Sequence, residues 1–168
     1  ILSFSTVLST VFITINLLKP EIHDQTLMPA LQSPWFIPHV TVYMFSYSLL
    51  GCAFILGLAG LAGTKHKVLS AADTLVYIGM AFLTFGMLSG SLWAKEAWGH
   101  YWNWDPKETW AAATWLNYLI YVHLRQSRPA AVTPALLWQV ICFLCLQMCW
   151  WGINYLPSAQ GASIHVYG

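Results

Sequence analysis

The stretch WGHYWNWDPKETW, residues 98–110, holds four of the ten tryptophans of this 168-residue chain. It lies between two long apolar runs, and its second half has the pattern of a helix start. Asp105 suits the N-cap, Pro106 suits the first helical position, and Glu108 stands three residues after the cap, as in a capping box. From Pro106 to Arg125 such a helix measures about 30 Å, which is one bilayer crossing. The stretch therefore predicts a membrane helix that begins directly after a cluster of indoles.

The composition is that of an integral membrane protein. Charged residues make up 8% of the chain and apolar residues 58%, whereas an average soluble domain is about 25% charged. Five apolar segments near membrane-spanning length cover residues 1–18, 38–63, 74–93, 106–124 and 131–155. We therefore predict an all-α, polytopic helix bundle in membrane lipid, with about five transmembrane helices in a single domain over residues 1–168. We expect this domain to belong to a longer chain.

The charges between these segments predict an orientation. On one side, four basic residues stand against one acidic residue, Asp73; the basic residues are Lys65, Lys67, Arg125 and Arg128. The positive-inside rule puts this side in the cytoplasm or its equivalent. The loops 19–38 and 156–168 and the tryptophan-rich segment 94–110 then face outward. The net charge of +1 and the lack of a basic patch give no indication of a nucleic-acid partner.

The four cysteines all lie inside apolar runs, at Cys52, Cys142, Cys145 and Cys149. Cys142 and Cys145 have the C-x-x-C spacing of redox motifs, but no polar neighbours accompany them. We expect neither a disulfide framework nor a thiolate metal site among the four cysteines. For Cys142 and Cys145 we predict buried, inert thiols.

Capping does not explain the aromatic residues around the helix start. An interfacial aromatic belt accounts for one or two tryptophans. The whole group suggests instead a platform for a large planar ligand with an apolar face. We call this group the aromatic platform; it comprises Trp98, Tyr101, Trp102, Trp104 and Trp110.

Heme is one planar ligand that suits such a platform. Its iron needs one or two axial ligands, and neutral imidazole is a ready choice. His39 and His165 both lie on the predicted side of the platform. Taken alone, each is better explained as a solvated or interfacial histidine. The outer segments are few, so they bring unrelated residues to one side.

The thirteen residues also resemble the tryptophan-rich WWD signature of heme-handling proteins in cytochrome c maturation. The form DPKETW, which runs into TWLNYLIYVHLR, is similar to the CcsA/ResC type, the cytochrome c synthase of system II. The setting of His39, LMPALQSPWFIPHV, is also typical of that family. The resemblance covers essentially the whole chain. It implies that His39 and His165 are the axial ligands of heme b, iron protoporphyrin IX, and that His123 binds heme within the membrane. It adds Asp105 to the heme-binding segment.

The resemblance implies a holocytochrome c synthase of the heme lyase type. Heme is then held at the outer membrane face while the Cys-x-x-Cys-His motif of apocytochrome c forms thioether bonds with it, without an acid–base residue of this chain. The family's membrane heme site uses a second histidine, which the predicted spans lack, so a CcsB/ResB-type membrane partner or fused domain is expected. Lys95 and Lys107 are candidates to meet heme propionates, although interfacial snorkelling is the simpler explanation of both. The expected location is the bacterial inner membrane, with the thylakoid membrane as the alternative.

Two other functions stay open at this point. A heme transporter of the CcmC type presents heme without ligating it to a protein. A b-type electron-transfer protein holds heme between paired histidines inside the bilayer. Here His39 stands at the outer edge of its predicted span, and only His123 lies well inside one.

Overall fold

The computed structural model describes residues 29–157, apart from the side chains of residues 29 and 64–66, and before them residues 10, 13–14 and 17–18. Across this part the chain forms helices and turns without any strand, which confirms the all-α prediction. The four long helices are α1 (Phe36–Ala59), α2 (Lys65–Trp98), α3 (Pro106–Ser127) and α4 (Val132–Trp150). Short helical turns occupy Pro29–Gln32, Gly60–Thr64 and Gly152–Tyr155. The first predicted span, 1–18, lies almost wholly outside the described residues.

Three stretches of the described residues are long and apolar enough to cross a membrane: Phe36–Gly63, Lys67–Trp98 and Val132–Trp150. The prediction of a membrane helix bundle is therefore confirmed. Helix α3 has 22 residues, and its length of about 33 Å is sufficient for a crossing. It is less apolar than the other three helices, because polar residues are distributed along it.

Helix α2 starts nine residues earlier than predicted, at residue 65 rather than 74. The prediction began the span after the charged residues, but charge does not prevent a helix from extending beyond the hydrocarbon layer. Lys65 and Lys67 therefore lie in the first turn of α2 and not in a loop. The chain reverses between α1 and α2 at Gly63, whose φ of 136° is a conformation that glycine adopts without steric cost.

The four helices pack as two antiparallel hairpins, α1 with α2 and α3 with α4, and α1 also contacts α4. Phe54 and Phe143 stack across the α1–α4 contact with ring centroids 4.4 Å apart. Trp115 of α3 donates a hydrogen bond to Thr84 Oγ1 of α2 at 2.9 Å. All four helices contribute to one buried core, formed by Leu50, Ala53, Val76, Met80, Leu83, Tyr118, Tyr121, Ala135, Cys142 and Leu146.

The cysteines are free thiols, as predicted, but they are not all buried. Cys142 and Cys149 are buried, and Cys145 is partly covered. Cys52 is exposed. An apolar run does not reveal which side of a helix is covered by its neighbours, and Cys52 lies on a face of α1 that the other described helices leave open.

The two ends of the bundle differ in chemistry. At one end, Arg125 forms an ion pair with Asp73 at 2.9 Å, and the hydroxyl of Tyr121 donates to Asp73 at 2.6 Å. The start of α2 and the end of α3 thus meet there, as the charge pattern predicts. His39 and Lys107 lie at the opposite end, beside a cavity.

Candidate functional site

A cavity of about 460 Å³ lies between the start of α1, the end of α2, the start of α3 and the end of α4. Its walls are mainly aromatic, with the rings of Phe36, Tyr43, Tyr47, Trp93, Trp102 and Trp150. A few polar side chains, among them His39, Lys107 and Asn154, reach the same space. Size and lining are those of a binding site for a small molecule or cofactor.

His39 lies in the first turn of α1 and is held in a defined orientation. Its Nδ1 is 2.9 Å from the carbonyl oxygen of Gly86 on α2. A carbonyl oxygen only accepts, so Nδ1 carries the proton and Nε2 carries the lone pair of the neutral imidazole. A backbone carbonyl commonly fixes metal-binding histidines in this way. The edge of the ring also contacts Tyr43, with centroids 4.6 Å apart.

The imidazole of His39 packs directly on the backbone of α2 at Gly90. A Cβ atom added at Gly90 would lie 2.5 Å from Cε1 and 2.6 Å from Nδ1 of His39. No side chain fits there unless the ring moves. The close approach of the two helices therefore depends on the missing side chain at this position.

Trp93 is one of the residues at this site that the sequence interpretation missed. It is 3% exposed, and its ring stacks on that of His39 with centroids 5.3 Å apart. Its indole N–H donates to the carbonyl oxygen of Ala30 at 2.6 Å. A sequence signal exists, because Gly86, Gly90 and Trp93 are spaced i, i+4, i+7 and so share one face of α2.

The aromatic platform is divided by the structure. Tyr101 and Trp102 line the cavity. Trp98 reaches it through Trp93, edge to face at 4.8 Å. Trp104 does not line the cavity: it is 71% exposed, has a φ of 56°, and meets Trp102 edge to face at 5.9 Å. Trp110, in the second turn of α3, also lies outside the lining.

Asp105 and Glu108 form the predicted capping box at the start of α3. The carboxylate of Asp105 accepts from the backbone N–H of Lys107 at 2.7 Å. Glu108 accepts from the backbone N–H groups of Asn103 at 2.8 Å and Asp105 at 3.1 Å. Both carboxylates are buried. They hold the segment with Trp102 against α3, so Asp105 acts on the cavity through the backbone.

The second predicted histidine, His123, is not part of this cavity. His123 is near the far end of α3, about 24 Å along the helix from Lys107. Its side chain is exposed, and its Nδ1 is 3.0 Å from the carbonyl oxygen of Leu119. His165 lies outside the described residues.

The lining fits heme. It provides aromatic walls for the porphyrin and one imidazole whose Nε2 lone pair can bind the iron. A protein site for heme requires these two features. The indole N–H of Trp102 is buried and has no acceptor among the described residues, so a bound polar group would satisfy it. A bare metal ion fits less well, because no cluster of three His, Cys, Asp or Glu side chains occurs in the part of the chain that the structure describes.

Known proteins similar to this chain include cytochrome c biogenesis proteins. Residues 1–159 match the family described as cytochrome C assembly protein. The cytochrome c biogenesis protein CcsA of Chlamydomonas reinhardtii is 39% identical over 96% of this chain and 48% of its own length. The CcsA proteins of Cuscuta exaltata and Pelargonium hortorum are 34% identical over 100% of this chain and over 65% and 67% of their own lengths. The chain thus spans about half to two thirds of these relatives.

Proposed function

Because the chain belongs to the cytochrome c assembly protein family, we propose that its cavity holds heme b for attachment to apocytochrome c. The observation that carries this proposal is the setting of His39. Its ring faces a cavity with aromatic walls, and its Nδ1 is bonded to the carbonyl oxygen of Gly86 at 2.9 Å. Nε2 is then the atom suited to the heme iron.

The residues of the cavity would act by positioning. His39 supplies one axial nitrogen, and the stacked ring of Trp93 limits rotation of the imidazole. Tyr101 and Trp102 offer aromatic surface to the macrocycle. We propose His165 as the second axial ligand, on the family resemblance alone.

The reaction that we propose is thioether formation on heme as the substrate. Each vinyl group takes up one cysteine thiol of the Cys-x-x-Cys-His motif: a carbon–sulfur bond forms, the thiol hydrogen passes to the neighbouring vinyl carbon, and no electrons are gained or lost. This chain contributes orientation, which can lower a barrier by several kcal/mol, since the reacting groups no longer have to find each other. None of its side chains has to act as an acid or base.

We further propose that heme reaches the cavity past His123 from the basic end of the bundle. His123 is exposed on α3, so a CcsB/ResB-type partner or fused domain could reach it and supply a second histidine. Intramembrane ionisable residues are costly unless they serve such a pathway. By the positive-inside rule the cavity end then faces outward, across a bacterial inner membrane or a thylakoid membrane.

The visible spectrum of the reduced full-length protein tests the ligand assignment. The parent should show the sharp bands of low-spin, six-coordinate heme. His39→Gly and His165→Gly should each lose them, and added imidazole should restore them, because the free ligand enters the space left by the side chain. His66→Gly is the matched control, since His66 lies in the first turns of α2 at the other end of the bundle.

Equal spectra and equal heme content in the parent and both ligand variants would contradict the assignment of His39 and His165 as axial ligands. Loss of the bands in His66→Gly as well would point to general misfolding rather than to ligation.

To test the synthase step, cytochrome c is produced with the full-length protein in cells that lack their own maturation genes. Heme binding without covalent product there would favour a presenter of heme over a synthase.

A further inference from the structure

The cavity has one strongly polar corner, at the start of α3. Lys107 is the one lysine or arginine among the described residues that line the cavity. Most of the remaining lining is apolar or aromatic, with side chains such as Val40, Met44 and Met87, and Glu108 is the one acidic residue among the described residues that line it. A single cation in such surroundings interacts more strongly with an anion than it does in bulk water.

The carboxylates next to Lys107 are already engaged with the backbone. Asp105 accepts from the backbone N–H of Lys107, and Glu108 accepts from those of Asn103 and Asp105. Their exposed fractions are 4% and 8%. Backbone N–H groups at a helix start offset part of this negative charge. The Lys107 side chain brings a positive charge to the same lining, where an acid group of a ligand can meet it.

A second donor lies in the same lining. The Nε1–H of Trp102 is buried without an acceptor among the described residues, and an indole N–H can only donate. A buried donor that stays unsatisfied has lost the hydrogen bond that it makes to water in the unfolded chain. An acceptor on the ligand would replace that hydrogen bond.

We propose that Lys107 and the indole N–H of Trp102 form a carboxylate-binding corner, which takes an acid group of the planar ligand. For heme, that group is a propionate. This inference rests on the proposed function. It adds that the acid group of the ligand determines how the ligand is oriented in the cavity. Lys95 has a different role: its Nζ donates to the carbonyl oxygen of Gly99 at 2.8 Å and lies 5.4 Å from the ring centre of Tyr101, and it does not line the cavity.

Hemin and hemin dimethyl ester separate this corner from iron ligation, because both carry iron and only hemin carries carboxylates. The full-length protein in detergent is titrated with each, and the ratio of the two dissociation constants is the selectivity. The parent should prefer hemin. Lys107→Gln should lower the selectivity at least about tenfold, the size of one charge-assisted hydrogen bond, while Lys107→Arg should keep most of it. Trp102→Phe keeps the aromatic surface and loses the N–H, so it should lower the selectivity by a smaller factor.

Lys95→Gln is the matched control and should leave the selectivity unchanged. An unchanged ratio in Lys107→Gln, or no preference for hemin in the parent, would overturn the carboxylate-binding corner. If the corner were overturned but the parent still bound hemin through His39, the proposed function would stand without the carboxylate-binding corner. If the parent bound neither compound, or bound both independently of His39, the proposed function would fail and the corner with it.

Discussion

The imidazole of His39 and the indole of Trp93 are stacked, with planes inclined by 26° and centroids 5.3 Å apart. The first residue comes from the start of α1 and the second from the end of α2. Trp93 also donates to the carbonyl oxygen of Ala30, in the turn that precedes α1. One indole thus holds both the imidazole and the chain segment that leads to it.

Trp93→Ala should therefore disturb both folding and the site. Truncation of a nearly fully buried tryptophan typically costs about 3–5 kcal/mol of unfolding free energy. Trp93→Phe keeps a ring against His39 and loses the hydrogen bond to Ala30, so it should cost about 1–2 kcal/mol. Equilibrium unfolding of the full-length protein in mixed micelles gives these differences, and the reduced visible spectrum reports on the imidazole. Added imidazole should restore the low-spin bands of Trp93→Ala.

Leu88→Ala is a control on the same helix, since Leu88 is 61% exposed. Its unfolding free energy should stay within about 0.5 kcal/mol of the parent's, with the same spectrum. A parent-like spectrum of Trp93→Ala without imidazole would show that the indole does not position His39.

Gly90→Ala should displace the His39 ring, because the new methyl group would lie 2.5 Å from its Cε1. Overpacking of this kind costs about 1–3 kcal/mol, and here the imidazole is the group that has to move. We expect weaker low-spin bands, which imidazole restores. Gly51→Ala is the matched control on α1, where the nearest atom to the new methyl group is 3.7 Å away on Phe143. Similar spectra for the two variants would contradict the dependence of His39 on this glycine.

The sequence predicted the helices better than their ends. Pro106 and the capping residues around it marked the start of α3, because capping is a local interaction that the sequence displays directly. The start of α2 was misplaced, because its first turns are polar, and hydropathy detects the membrane-spanning part of a helix rather than the whole of it. The exposure of Cys52 depended on which face of α1 its neighbours cover, and an apolar run does not encode that locally.

The candidate site was predictable in part. His39, Tyr101 and Trp102 were singled out from the sequence and line one cavity. Trp93 was missed because its importance comes from contacts with residues more than fifty positions away in the chain. Trp104 is in the motif and yet is 71% exposed, since the positive φ at this residue is a feature of the backbone that residue types do not reveal.

Asp105→Ala should lower the unfolding free energy by about 1 kcal/mol, and by at most about 2, because the N-cap acceptor for the backbone N–H of Lys107 is lost. Asp105→Asn retains an acceptor oxygen and should restore most of the difference. The capping box also orients the segment of Trp102, so heme affinity should fall in Asp105→Ala and recover in Asp105→Asn. Stability and affinity are measured on the same preparations. A fall in affinity that was equally large in Asp105→Asn would mean that the negative charge of Asp105, rather than its capping bond, matters for binding.

The ion pair between Asp73 and Arg125 should contribute to stability without influence on the cavity. The side chain of Asp73 is 15% exposed and that of Arg125 is 10% exposed. Arg125 also donates to the carbonyl oxygen of Pro129 at 2.8 Å. Asp73→Ala should therefore cost about 2 kcal/mol, between the values for exposed pairs and fully buried ones. Arg128→Gln, at the exposed end of the same helix, should cost less than about 0.5 kcal/mol.

The double variant Asp73→Ala with Arg125→Gln measures how the two residues depend on each other. Because each single change leaves the other partner partly buried and uncompensated, the double variant should be less destabilised than the sum of the single variants. The low-spin heme bands should be unchanged in all of them, since the pair lies at the end of the bundle opposite to His39. Loss of the bands in Asp73→Ala at a temperature where the protein remains folded would show that the two ends of the bundle are coupled.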